Sequence, residues 1–330
     1  MIKSLTILLI ALSMYWSSSS MNQVNLEVKW ERPAVIFPED NPLSEASIEL
    51  GSSLFFETLL SQDSTLSCQS CHLITEAFAD HLPLGEGIKG RHVTRNTPTL
   101  SNIGHHPYFM ADGKFATLED QVLGPINEHR EFDLNEKEVV ERLKTVPLYN
   151  ELSRKAYNED ITIEVVQKAL ANFERIIASD STKFDQYMRG QTELTPQEKM
   201  GWDLFNAPQL NCVQCHNGFN FTNYSFQNNG LYQNYPDSGR ALITQKPRDL
   251  ALFKVPTLRN IAITYPYMHD GSINSLDEVI DHYAAGGKKH SSQSEFIQGF
   301  KITKEEKEAL IAFLNTLTDK RYLEKSDSSK

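Results

Sequence analysis

One pentapeptide pattern occurs twice in this chain, as Cys68-Gln69-Ser70-Cys71-His72 and Cys212-Val213-Gln214-Cys215-His216, and the two copies use all four cysteines. Cys-x-x-Cys-His is the attachment signature of a c-type haem. Each thiol forms a thioether with a haem vinyl group, and the adjacent histidine ligates the iron from one face. The spacing follows from the porphyrin. Two intervening residues match the separation of the vinyl groups, and the next residue falls under the iron. Other uses of the same atoms fit less well. A zinc site built from both pairs would have to close over 144 residues, from 68 to 212, and needs no histidine after each pair. A thioredoxin-like redox pair would be single and set in a βαβ unit. Structural disulfides leave the two matched histidines unexplained. The expectation is two covalently bound haem c groups.

The halves repeat each other beyond these motifs. Pro98-Thr99-Leu100-Ser101-Asn102-Ile103 matches Pro256-Thr257-Leu258-Arg259-Asn260-Ile261, and Asp112-Gly113 matches Asp270-Gly271, both at an offset of 158. Pro107-Tyr108 matches Pro266-Tyr267 with a slip of one residue, and Thr117-Leu118-Glu119 stands opposite Ser275-Leu276-Asp277. This is one haem module duplicated, since two copies do not make a solenoid.

Local signals are helical. Thr195-Pro196-Gln197-Glu198 offers a cap, a proline at N1 and a glutamate at N3. Thr117 and Ser275 read as N-caps of amphipathic helices, Ser44 to Phe56 as the helix before Cys68, Ile163 to Ile177 as a longer periodic helix, and Glu305 to Leu317 as a closing one. Strand alternation is scarce. The fold expected is mainly α, two tandem cytochrome c-like haem domains with little β structure. Residues 21–185 would form the N-terminal haem domain and 186–322 the C-terminal haem domain, followed by a polar tail over 323–330.

The start of the chain stands apart. Lys3, the apolar run Leu5 to Trp16 and the serines Ser17 to Ser20 read as a secretory signal over residues 1–20. Export to the periplasm agrees with haem attachment, which takes place outside the cytoplasm. The run is short for a membrane span, and no stable membrane insertion is expected. With 330 residues and a net charge of −11, the chain is a poor match for nucleic acid. Its protein partner should present a basic face.

The sixth coordination position decides what a haem does. Position 125 plus the offset of 158 is 283, so Pro125 and Tyr283 are equivalent. A tyrosine can ligate iron through its phenolate oxygen, whereas proline has no donor atom. One haem would then be six-coordinate and the other open on one face.

Several stretches together resemble the bacterial dihaem cytochrome c peroxidase and MauG superfamily. They are Gly51-Ser52-Ser53-Leu54-Phe55-Phe56, Arg95-Asn96-Thr97-Pro98-Thr99-Leu100, Asp112-Gly113, Phe253-Lys254-Val255-Pro256-Thr257-Leu258-Arg259-Asn260 and Tyr265-Pro266-Tyr267-Met268-His269-Asp270-Gly271. The resemblance covers about residues 40 to 320. It implies that His72 is the proximal ligand of a peroxide-reacting haem and His216 that of an electron-transfer haem. It places Tyr283 at the axial position where ordinary peroxidases of the family carry Met and MauG carries Tyr. Gln121, Pro125 and Glu131 fall on distal-pocket positions. Asn96, Thr264 and Pro266 fall where the family binds a Ca²⁺ between the haems, largely through backbone carbonyls, and hard oxygen donors suit that ion. A small soluble electron donor (a cytochrome c or a cupredoxin), H₂O₂ and a homodimer are the partners the resemblance suggests.

Three positions depart from the family pattern. Ile88 stands where many members carry a distal histidine, so the reductive activation step is expected to be missing. Ala111 stands where a Trp usually lies between the haems. Leu210 stands where MauG presents a surface Trp. Other readings of the site residues stay open. Glu131 is also a plausible solvated charge in Glu128-His129-Arg130-Glu131, Gln121 a surface helix residue and Pro125 a helix stop. Met268 and His282 are alternative ligands to Tyr283.

Overall fold

The computed structural model describes residues 30–323. The expected signal over 1–20 and the tail from 324 lie outside the described residues. The fold is helical, as expected. The helices are α1 (Glu45–Phe55), α2 (Leu118–Asn127), α3 (Glu136–Lys144), α4 (Pro147–Tyr157), α5 (Ile163–Ile176), α6 (Lys183–Met188), α7 (Pro196–Phe205), α8 (Cys212–Cys215), α9 (Ala241–Thr244), α10 (Leu276–Ala284) and α11 (Lys304–Asn315). The one described sheet is a two-stranded antiparallel ribbon of β1 (Phe226–Gln227) and β2 (Phe253–Lys254). No helix among the described residues is long and apolar enough to cross a membrane.

The predicted caps act as such. Thr117 Oγ1 accepts from the Asp120 amide at 3.1 Å, while Ser275 and Thr195 each form a reciprocal capping box with a glutamate three residues on. α3, α4 and α6 were not read from the sequence. α6 is short and lies across the expected boundary between the two domains.

Two apolar cores form, and the duplication shows in how each closes. In the first, α1 crosses α5 at Gly51, where a Cβ would lie 2.0 Å from the carbonyl oxygen of Ala169 and 2.8 Å from Phe173 Cβ. In the second, α7 crosses α11 at Gly201, where a Cβ would lie 1.9 Å from the carbonyl of Ala309 and 2.8 Å from Phe313 Cβ. Only glycine lets these helix backbones approach so closely. Leu50, Leu54, Val166 and Leu170 fill the first core, and Phe184, Phe205, Phe221 and Phe313 the second.

Each module borrows a residue distant in sequence. Trp30 packs on Phe184, Phe219 and Phe221 of the second module, with ring centroids 5.6 to 6.1 Å apart. Tyr322 packs in the first core against Phe78. The change of core falls between Ile177, in the first, and Phe184, in the second. A division after residue 185 would cut α6, whose Phe184 already belongs to the second core.

The modules meet through paired backbone bonds that respect the repeat. The amide of Asn96 donates to the carbonyl of His269 at 2.9 Å, and the amide of Lys254 donates to that of Ala111 at 2.7 Å. Residues 96 and 254, and 111 and 269, are both separated by the repeat offset of 158. Asn102 and Asn260, also equivalent, both adopt positive φ.

Candidate haem sites and distal pocket

Each Cys-x-x-Cys-His motif forms a tight turn that brings its histidine back over the first cysteine. The amide of His72 donates to the carbonyl of Cys68 at 3.0 Å, and that of His216 to Cys212 at 2.9 Å. His72 Nδ1 lies 2.8 Å from the Phe78 carbonyl and His216 Nδ1 3.1 Å from the Phe221 carbonyl. A carbonyl only accepts, so Nδ1 carries the hydrogen and Nε2 keeps its lone pair for a metal. Burial lowers the pKa of both rings, that of His216 to about 4, and so keeps them neutral.

No disulfide joins the four cysteines. Burial pushes each of them up, Cys71 and Cys212 to about 12, which opposes the thiolate that zinc requires. Cys68 packs on the first core and Cys212 on the second, so the two pairs belong to separate sites. Paired protonated thiols beside an imidazole with a free Nε2 fit covalent haem c, one per module.

Positions 125 and 283 occupy the same register on their helices. Both residues lie eight places after an N-cap, Thr117 for α2 and Ser275 for α10. Tyr283 lies near enough to the second motif that charge on either Cys215 or Cys212 would raise its pKa. Burial is the main cause of its rise to about 12, and a hydrogen bond with Asn229 opposes that rise. The alternative ligands lie around the same asparagine. Asn229 Nδ2 donates to Met268 Sδ at 3.1 Å, and His282 Nε2 lies 3.0 Å from the Asn229 carbonyl. The Asn229 carbonyl engages His282 Nε2, which takes that nitrogen away from a metal.

Pro125 does not stop its helix, which runs on to Asn127. It removes the amide that would have bonded to the Gln121 carbonyl. Gln121 is half-buried, with Nε2 3.9 Å from Met110 Sδ.

Glu131 is not the freely solvated charge its neighbours suggest. Glu128, His129 and Arg130 are exposed, while Glu131 is partly buried. Burial, helped by the charge of Glu128 and opposed by Lys114, raises its carboxyl to about 7. Its charge reaches both Cys68 and Cys71. Ile88 is 1 % exposed, and its amide donates to the Glu131 carbonyl at 3.1 Å. Gly87 permits this contact, because a Cβ there would meet the Arg130 carbonyl oxygen at 1.7 Å.

Asn96 lies at the seam, where its Nδ2 donates to the carbonyls of Leu82 at 2.9 Å and Pro83 at 3.3 Å. The segment holding Thr264 and Pro266 approaches the same strip of chain, with His81 Nε2 3.1 Å from the Ile263 carbonyl and its ring stacked on Tyr265 at 4.0 Å.

Sequence reasoning missed five buried or half-buried residues. Arg259 and Asp185 form an ion pair with both side chains fully buried, at 2.8 and 2.9 Å. Glu174, 7 % exposed, leaves Oε2 without a partner. Lys254 and His106 meet at the seam. Arg259 lies within a quoted stretch, yet no local pattern reveals a partner 74 residues away.

Two free thiols and a tautomer-fixed histidine in each of two helical modules define a dihaem c-type redox protein. The sequence profile of the family described as di-haem cytochrome c peroxidase matches residues 45–193. Methylamine utilization protein MauG of Methylorubrum extorquens is 35 % identical over 307 residues, which cover 91 % of this chain and 86 % of that protein. Cytochrome c551 peroxidase of Nitrosomonas europaea is 30 % identical over 322 residues, covering 96 % and 92 %. The crystal structure of a MauG-like protein associated with microbial copper homeostasis superposes with a TM-score of 0.84 at 33 % identity, over 90 % of this chain and 97 % of that one. The diheme peroxidase BthA of Burkholderia thailandensis, 22 % identical, shares the fold at a TM-score of 0.76 over 86 % and 88 %. The chain belongs to the di-haem cytochrome c peroxidase and MauG family, and is a peroxidase-type oxidoreductase with two haem c groups.

Proposed function

We propose that this protein reduces H₂O₂ to water at the open face of its first haem, with electrons entering through the second from a small soluble redox protein. The observation that carries this reading is the asymmetry of equivalent positions: Pro125 offers no donor to one iron, while Tyr283, within charge range of the second motif, offers a phenolic oxygen to the other. His72 would hold the first iron. His216 and Tyr283 would hold the second.

When bound, the haems supply the electron transfer and the cleavage of the O–O bond. Each peroxide consumes two electrons and two protons and yields two waters. Glu131 takes the proton from the peroxide oxygen nearer the iron and returns it to the farther one, a relay suited to a carboxyl held at about 7. Gln121 orients the peroxide through its amide. Ile88 gives the pocket an apolar wall where a ligating histidine would obstruct it, so no reductive activation is needed.

Asn96, Thr264 and Pro266 supply oxygen donors for one Ca²⁺ at the seam. The acidic chain, at −11, favours a donor with a basic face. Residues 1–20 direct export to the periplasm.

A MauG-like oxidase acting on the side chains of a partner is the second reading, and Tyr283 favours it. Leu210 is 8 % exposed within the second core and leaves no surface indole at that point. The deciding experiment is steady-state turnover of H₂O₂ with a reduced small cytochrome. Turnover with two haems per chain by pyridine haemochrome supports the peroxidase. Two haems without turnover favour the oxidase, and a single haem sinks both.

A further inference from the structure

Each motif histidine donates to the carbonyl of a phenylalanine held in an unusual backbone conformation. Phe78, whose carbonyl accepts from His72 Nδ1 at 2.8 Å, has φ 60°. Phe221, whose carbonyl accepts from His216 Nδ1 at 3.1 Å, has φ 49°. A bulky residue is disfavoured in that left-handed region. It stays there only where the surroundings fix it. The phenylalanine lies six residues after the histidine in the first module and five after it in the second. The two modules therefore share this device in structure and not in sequence register.

What fixes the two rings differs. Phe221 is enclosed by Phe184, Phe205 and Phe313 of its own core, with centroids 5.5 to 6.1 Å away, besides Trp30 at 6.1 Å. Phe78 has two ring neighbours among the described residues, Phe55 at 6.0 Å and Tyr322, edge-on at 89°, also at 6.0 Å. The residue before it, Ala77, has φ 52°, so this turn carries two left-handed residues in succession. Of the two turns, the one behind the first motif has fewer rings to hold it.

Tyr322 comes from the far end of the second module. Beyond α11 the chain is bonded to Asn260. The Asn260 amide donates to the Leu317 carbonyl at 2.9 Å, and the Asp319 amide donates to Asn260 Oδ1 at 2.8 Å. Leu317 itself lies in the second core. The turn Lys320–Tyr322 then packs on the turn Ile74–Glu76, just after the first motif. There Tyr322 is 7 % exposed, and its hydroxyl donates to the Ala178 carbonyl at 3.0 Å, which holds the ring from its outer end.

We propose that Tyr322 is a positioning residue for the first haem: its ring holds Phe78 in the left-handed conformation that turns the Phe78 carbonyl onto His72 Nδ1. An imidazole that donates from Nδ1 is the stronger donor at Nε2. A segment rooted in the second module thereby sets the basicity of the first iron's proximal ligand. The proposal rests on His72 holding the first iron and not on what lies at the opposite face.

The test uses the holoprotein with Tyr322→Leu and Tyr322→Phe. Thioethers hold the haem in each variant, so the haemochrome count should stay at two per chain. A count below two in the unsubstituted protein would refute the dihaem reading itself. A weakened bond at Nδ1 makes the imidazole a poorer donor and favours ferrous iron. Tyr322→Leu should therefore raise the midpoint potential of the first haem in a spectroelectrochemical titration and leave the second in place. The first haem is assigned as the one whose spectrum changes in His72→Met. In NMR spectra of ¹⁵N-histidine-labelled protein, reduced under carbon monoxide, the His72 Nδ1 proton should exchange with solvent faster in Tyr322→Leu. Tyr322→Phe keeps the ring and should keep both values. Phe78→Gly removes the ring through which Tyr322 acts and puts at 78 a residue at ease with positive φ, so on that background Tyr322→Leu should shift the potential no further. An unchanged potential and unchanged exchange with both haems attached overturn the proposal. So does a change in one without the other, or an equal shift of both haems, which would mean general loosening. A Tyr322→Phe effect as large as that of Tyr322→Leu also overturns it, since the role would then belong to the hydroxyl. If Tyr322→Leu fails to load haem, Tyr322→Met, which fills the space without a ring, takes the same test.

Discussion

The amide of Ile88 donates to the carbonyl of Glu131 at 3.1 Å, tying the buried Ile88 to a half-buried carboxyl. The loop that could have carried a competing iron ligand instead fixes the backbone of the proposed proton carrier. The residue that replaces the distal histidine and the candidate acid are therefore one structural unit.

Glu131→Gln should lower peroxide turnover by at least about 100-fold, within the range typical of a general acid–base group, while both haems remain attached. The carboxyl must be ionised to accept the first proton. Turnover of the unsubstituted protein should therefore rise with pH through about 7, and the variant should lack that limb. Stopped-flow measurement of peroxide reduction from pH 5 to 9 checks both, and a retained limb would assign it to another group.

Tyr283 is predicted to set the second haem's potential. A phenolate is anionic and favours ferric iron, so Tyr283→Met should raise that potential. Tyr283→Phe should alter the spectrum of the haem held by His216 alone. If both spectra survive the Phe substitution, Met268 and His282 are the next positions to examine, since both contact Asn229.

Glu174 should give stability a pH dependence of uncommon sign. Burial raises its carboxyl from the ordinary 4.5 to about 8, so the folded state prefers the neutral acid. Its contribution is fully present below 4.5 and is lost as pH rises through 8. Glu174→Gln should remove the slope between those limits and stabilise the protein at pH 8 by on the order of 3 kcal/mol. Denaturant melts of the holoprotein at pH 5 and pH 8 compare the two, and parallel losses in both proteins would refute the assignment.

Asp185→Ala leaves the Arg259 guanidinium buried without its carboxylate. Breaking such a pair costs about 3–5 kcal/mol. Chemical denaturation should show that loss, whereas an exposed pair such as Lys199–Asp203 should cost under about 1 kcal/mol on Lys199→Ala.

Much of this was legible in the sequence because the duplication compares one half with the other. The haem motifs, the caps at Thr117, Ser275 and Thr195, and the equivalence of Pro125 with Tyr283 all depend on local spacing, which structure preserves. Burial does not. Glu131 has three exposed neighbours and is set apart from them only by the Gly87–Ile88 loop folding over it. Glu174 shares its helix with ordinary core residues, and nothing nearby in sequence marks its missing partner. Lys254 sits in a stretch quoted for its resemblance, but its meaning depends on His106 and Tyr108, 148 and 146 residues away. α6 leaves no local signal because the core that holds Phe184 is assembled from residues far along the chain.

The exchange of Trp30 and Tyr322 between modules has a mechanical consequence. Each half is strapped by a segment lying at the opposite end of the described chain, so neither separates by opening one hinge between Ile177 and Phe184. Pulling the halves apart must first strip an indole from the Phe184 cluster and a phenol from beside Phe78. The protein should yield to force as one body, and either half expressed alone would carry an uncovered aromatic socket.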